Sequence, residues 1–133
     1  MKIHPIFAKS EDSINGYSDT NAANKQKFHQ EGKKLLKQLA IRLDLSDADI
    51  RSNMGGIAVP GEVTLHAEHL YIQLHMASFS GDGARLLYRS CKHNKDYSGG
   101  TNHYFPVSKL TDEQQLATLV SRCQALAAAA CPA

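Results

Sequence analysis

Residues 62–76, EVTLHAEHLYIQLHM, alternate apolar and polar side chains twice. Val63 and Leu65 stand against Thr64 and His66, and Leu70, Ile72, Leu74 and Met76 then stand against Tyr71, Gln73 and His75. A period of two marks a half-buried strand, so the stretch predicts two strands joined at Ala67, Glu68 and His69 in a tight hairpin, with one unbroken bent strand as the alternative. ARLLYRSC at 84–91 predicts the next strand, set off by the turn sequence Ser80-Gly81-Asp82-Gly83, and residues 101–107 predict a short last strand limited by Pro106. A brief edge strand is expected at Ile57 to Val59, within the punctuation of Gly55, Gly56, Pro60 and Gly61.

Two other segments change period. Phe28, Leu35, Leu36, Leu39 and Leu43 recur at helical spacing and predict a helix over about 21–43, with Gly32 on the same face for close packing. Lys27, Lys33, Lys34 and Lys37 lie on the opposite side, where a solvated face or an anion-binding stripe would sit. The second helix is predicted over about 112–130. Thr111 with Gln114 three residues on forms a capping box, Asp112 and Glu113 suit the positive end, and Leu116, Leu119, Val120, Cys123, Leu126 and Ala127 make the apolar stripe.

These elements predict one α+β domain spanning residues 1–133. It contains an antiparallel β-meander of three to five strands, with an N-terminal and a C-terminal helix packed mainly on one face. Residues 8–24 are rich in small polar side chains and favour turns, so residues 1–20 are expected as an N-terminal arm. Leu70, Ile72, Leu74, Leu86 and Tyr88 would meet the helices. The other face would present Thr64, His66, Tyr71, Gln73, His75, Arg85 and Arg89, with Leu87 as an apolar exception.

Composition narrows the setting. A chain of 133 residues can build its own core without metal or disulfides. Its three cysteines, Cys91, Cys123 and Cys131, are an odd number at wide spacing and suit reduced thiols. The opening MKIHPIFAKSED is broken by Pro5 and lacks the apolar core of a secretory signal, and no stretch approaches the roughly 20 apolar residues of a membrane span. A cytoplasmic protein with no membrane partner is expected. A net charge of +2 is too mild for coating nucleic acid by bulk charge, so any basic surface must be local.

Three constellations carry candidate chemistry. His66, His69 and His75 fall within fifteen residues, but no established zinc-ligand spacing accompanies them; they are expected as ordinary half-exposed side chains, with no metal and no cofactor. Cys91, followed by Asp96 and preceding His103, has the residue types of a cysteine-dependent hydrolase, in which a base makes the thiolate and a carboxylate orients the base. No helix N-terminus or nucleophile motif follows Cys91, so a small residue closing a strand is the simpler reading and no catalytic residue is assigned. The third is the strip RLLYRSCKHNKDYSGGTNHYF. It interleaves Arg85, Arg89, Lys92 and Lys95 with Tyr88, Tyr97, Tyr104 and Phe105. Cations and flat rings suit single-stranded nucleic acid, and they equally suit an acidic protein surface. The expected binding residues are Tyr71, His75, Arg85, Arg89, Lys92, Lys95, Tyr97 and His103, with Gly99 and Gly100 letting the loop approach its partner. Asp96 is expected to pin that loop by turn-type hydrogen bonds. A bare sheet face or edge would also support a homodimer.

LYIQL followed by LLYRSCKHNKDYSGGTNHYFPVSKL resembles a group of small uncharacterised proteins carried on plasmids, integrative conjugative elements and related mobile DNA of Gram-negative bacteria. The resemblance covers about residues 50–120 and rests on RSNMGGIA, YRSCK and KDYSGG. It implies an accessory role in a mobile genetic element, as a binding module for nucleic acid or a host protein, and it transfers no catalytic residues.

Overall fold

The order of elements follows from where the periodicities change. In a computed structural model that describes residues 1–76, 83–93, 96 and 100–131, the first helix, α1, runs Asp19–Arg42. Strands β1 (Asp49–Asn53), β2 (Glu62–His66), β3 (Leu70–Met76), β4 (Ala84–Ser90) and β5 (His103–Pro106) follow, and α2 (Glu113–Ala130) closes the chain. The five strands form one antiparallel sheet in the order β1-β2-β3-β4-β5, a plain meander. Both helices pack on the same face, α1 over β1 and β2 and α2 over β3 and β4. The fold is therefore the α+β meander that the alternation predicts.

Local chemistry explains the boundaries. Ser18 caps α1 by accepting from the Asn21 amide, so the helix begins two residues earlier than its apolar stripe implies. At its other end Asp44 adopts a left-handed conformation, and the Asp44 and Leu45 amides turn back to Ile41 and Ala40. That is a Schellman closure with aspartate in the usual glycine place. In α2 the cap is Asp112, whose carboxylate accepts from the Gln114 and Gln115 amides. Thr111, expected in that role, instead donates its hydroxyl to the Ser108 carbonyl, because Val107–Thr111 is already a turn of 3-10 helix.

One strand lies elsewhere than expected. Ile57 to Val59 occupy a loop and are exposed, while the edge strand is Asp49–Asn53 upstream. The sequence DIRSN carries a single apolar residue, Ile50, so its alternation has too little contrast to read. The loop is fastened to α1 from below: buried Lys25 donates to the Gly56 carbonyl at 2.9 Å, and His29 bridges Ser52 and the Pro60 carbonyl. Burial in this bridge holds the His29 pKa below its ordinary value. Gly55 and Gly56 thus serve a loop closure, and Asn53 accepts from the Gly55 amide.

Between helices and sheet lies one apolar cluster, in which Phe28, Leu36, Leu39, Leu65, Ile72, Leu74, Leu86, Leu116 and Leu119 are fully buried. Gly32 sets the spacing: a Cβ there would stand 2.8 Å from Leu74 and 2.9 Å from Val63, so the helix backbone rides directly on β2 and β3. The N-terminal arm joins this side through Ile6, Phe7 and Ile14, with Phe7 edge-on to Phe28. Lys27, Lys33, Lys34 and Lys37 are exposed, and Glu31 pairs with Lys27 and Lys34 across one turn, the arrangement of a solvated face. Among the described residues no helix is long and apolar enough to cross a membrane.

Candidate functional site

Strand register places the polar residues of the meander in rows on the face that the helices leave uncovered. Asp49, His66, Tyr71 and Arg89 stand opposite one another across four strands. The neighbouring row is Arg51, Thr64, Gln73, Leu87 and Tyr104, and beyond it His75 faces Arg85 and Arg85 faces Pro106. Because the side-chain period is two, burying the apolar set under the helices forces this whole set to the other side.

The first row is not a surface. His66, Tyr71 and Arg89 are all buried, which corrects the expectation that Tyr71 and Arg89 present themselves to a partner. The Arg89 guanidinium lies 4.4 Å over the Tyr71 ring, His66 meets the same ring edge-on, and the Tyr71 hydroxyl donates to Gln73. Asp96, beyond β4, reaches this row: its carboxylate accepts from the Lys92 amide, and its charge acts on both His66 and Cys91. The expected pinning role of Asp96 is therefore visible. Gly100 has φ of 80°, and a Cβ there would meet the Ser90 carbonyl oxygen at 2.4 Å. Its freedom is used to bring the chain against its own strand. Burial and the nearby Arg89 hold the His66 pKa down, against the pull of Asp96.

The β4–β5 side of the face remains open. The Arg85 guanidinium lies 4.3 Å over Tyr104, a ring that is 49% exposed, and Arg85 Nε donates to His75 Nε2 at 2.8 Å. That bond requires a neutral imidazole with its proton on Nδ1, and burial together with Arg85 lowers the His75 pKa accordingly. Leu87, half-buried, sits beside Tyr104 across the β4–β5 ladder. Arg51 is exposed but paired with Asp49 at 2.7 Å, and Lys92 is exposed.

Of the expected binding residues, then, His75 and Arg85 meet in one cluster, Lys92 is exposed at the surface, and Tyr71 and Arg89 belong to the interior. Lys95, Tyr97 and Gly99 lie outside the described residues, as does the turn at 80–82. His103 is on the helix side: it pairs with Tyr88 in register and stacks on that ring at 5.3 Å. Cys91 has a different environment, buried at the hairpin end with its thiol donating to the Ala67 and Glu68 carbonyls. Burial pushes its pKa up, which keeps it a thiol rather than the thiolate that nucleophilic chemistry needs. The three clustered histidines have separate partners. His69 lies 3.8 Å from Glu68 in the hairpin turn, and among the described residues no three His, Cys, Asp or Glu side chains are grouped to hold a metal ion.

Tyr104 is the residue that reasoning from sequence left out of the binding set, although its alternation with buried Phe105 signals an outward ring. Comparisons with protein-family models, with curated proteins and with solved structures give no match to this chain.

Proposed function

We propose that this chain is a non-catalytic binding module that engages a protein partner through the open face of its sheet. The observation that carries this reading is the Arg85–Tyr104 pair, a half-exposed ring under a guanidinium, flanked by Leu87 and His75 toward the β5 edge of the uncovered face. Tyrosine and arginine around an aliphatic centre with neutral polar neighbours, here Thr64 and Gln73, is the composition of a protein-binding hot spot. Phosphate recognition would call for several free cations, and among the described residues of the face Arg89 is interior and Arg51 is occupied by Asp49. The resemblance to proteins of mobile DNA supports an accessory role in such an element, with a host protein as partner and the cytoplasm as its place.

The test compares the full chain with Arg85→Ala and Tyr104→Ala in two assays. Affinity capture from host lysate should recover a protein with the parent chain and lose it with either variant. Fluorescence anisotropy with random-sequence single- and double-stranded DNA and RNA should show only weak binding at low salt. Tight binding that falls steeply with salt and disappears in Arg85→Ala would overturn the reading in favour of nucleic acid. Sedimentation of the same samples detects the remaining occupant, a second copy of this chain.

A further inference from the structure

On the opposite face, α2 and the β4–β5 ladder leave a cleft of about 370 Å³, lined by Tyr88, His103, Arg122, Ala125 and Leu126. That volume lies within the range of small-ligand sites, and so does the chemistry: aromatic and aliphatic walls with one charged group. Four features mark it as more than a packing gap. Buried Tyr88 backs exposed His103 in a stack with an angle of 26° between rings, so the flat surface offered at the cleft is that of His103. Arg122 is the only charged residue between Gln114 and Cys131, and Glu113 at the start of its helix is paired with the Met1 amino group and Arg42. Among the described residues it forms no ion pair and no side-chain hydrogen bond. Arg122 is also in the middle of α2, too far from the C-terminal end to serve the helix dipole.

We propose that this cleft binds a small planar aromatic anion, with its ring against Tyr88, His103 and Leu126 and its carboxylate on the fork of Arg122. Arginine suits the charged end because its planar donors match a carboxylate two at a time. The stacked pair suits the ring because a third flat group extends an existing stack with little loss of freedom.

The probe is 1-naphthoate, titrated into the full chain and followed by two-dimensional amide NMR. Saturable shifts at His103, Arg122, Ala125 and Leu126 are expected. Arg122 is exposed, so Arg122→Ala leaves the core intact and should weaken binding about tenfold, while Arg122→Lys, which keeps the charge without the fork, should lose less. The uncharged 1-naphthalenemethanol should bind the parent and Arg122→Ala chains alike. Shifts that fail to saturate, shifts centred on other residues, or an affinity for naphthoate unchanged in Arg122→Ala would each overturn the proposal. Capture of a protein through the sheet face should be unaffected by Arg122→Ala, which keeps the two sites distinguishable.

Discussion

Replacing Gly32 by alanine sets two physical effects against each other, and the structure decides the sign. In the interior of a helix, alanine is favoured over glycine by about 1 kcal/mol, so α1 considered alone should gain. Here the added Cβ would stand 2.8 Å from Leu74 Cδ2 and 2.9 Å from Val63 Cγ2, both nearer than real Cβ contacts allow. Neither neighbour can turn outward, since both side chains are fully buried between helix and sheet. Overpacking of this kind costs about 1–3 kcal/mol, so Gly32→Ala should come out between neutral and about 2 kcal/mol destabilised. Gly32→Val, with two further methyl groups in the same space, should be worse. The control is Gly56→Ala, where a Cβ meets nothing within 4 Å, and a change from neutral to about 1 kcal/mol stabilised is expected. Urea unfolding followed by far-UV circular dichroism gives the midpoints, with constant slope as the check on two-state behaviour. A Gly32→Ala protein more stable than the parent would refute the close approach of α1 to β2 and β3.

The remaining expectations concern charge, thiols and caps. His29, His66 and His75 all have pKa values lowered from 6.5, with burial as the largest cause in each, so the unfolded chain binds protons that the folded one refuses. Stability is therefore full above about pH 6.5 and is lost as pH falls from there through the lowered values, by at most about 1.4 kcal/mol per pH unit for each proton. Urea midpoints across that window should show the decline, and His29→Gln should flatten it; a midpoint that rises on acidification contradicts the assignment. Ellman's reagent should label Cys131 quickly in the native chain and spare Cys91 and Cys123, whose thiols are buried, with Cys123 pushed up to about 12. Rapid labelling of Cys91 would mean that the Asp96 region opens. Asp112→Ala should cost about 1 kcal/mol as a lost helix cap and Thr111→Ala clearly less, whereas a capping box centred on Thr111 predicts the reverse order in the same unfolding assay.

Periodicity alone determined the two helices, the β2–β3 hairpin, β4, β5 and the division of the sheet into a helix side and an open side. Each of these follows from local spacing and from the need to bury Leu70, Ile72, Leu74 and Leu86 together. The weakly patterned β1 was legible only once β2 stood beside it, because Asp49–Asn53 is held by ladder hydrogen bonds and not by an apolar stripe. Tertiary structure alone decided which polar residues are available to a partner. Arg89 and Arg85 are the same residue type on the same face of one strand, yet Arg89 is buried over the ring of Tyr71, while Arg85 rests on the exposed ring of Tyr104. His103 likewise joined the helix side because its register opposite Tyr88 assigns it there, and Arg122 acquired an aromatic cleft from strands about twenty residues or more away. Local sequence encodes the side on which a residue lies; burial depends on what the rest of the chain brings to that side, and contacts distant in sequence leave no local period to read.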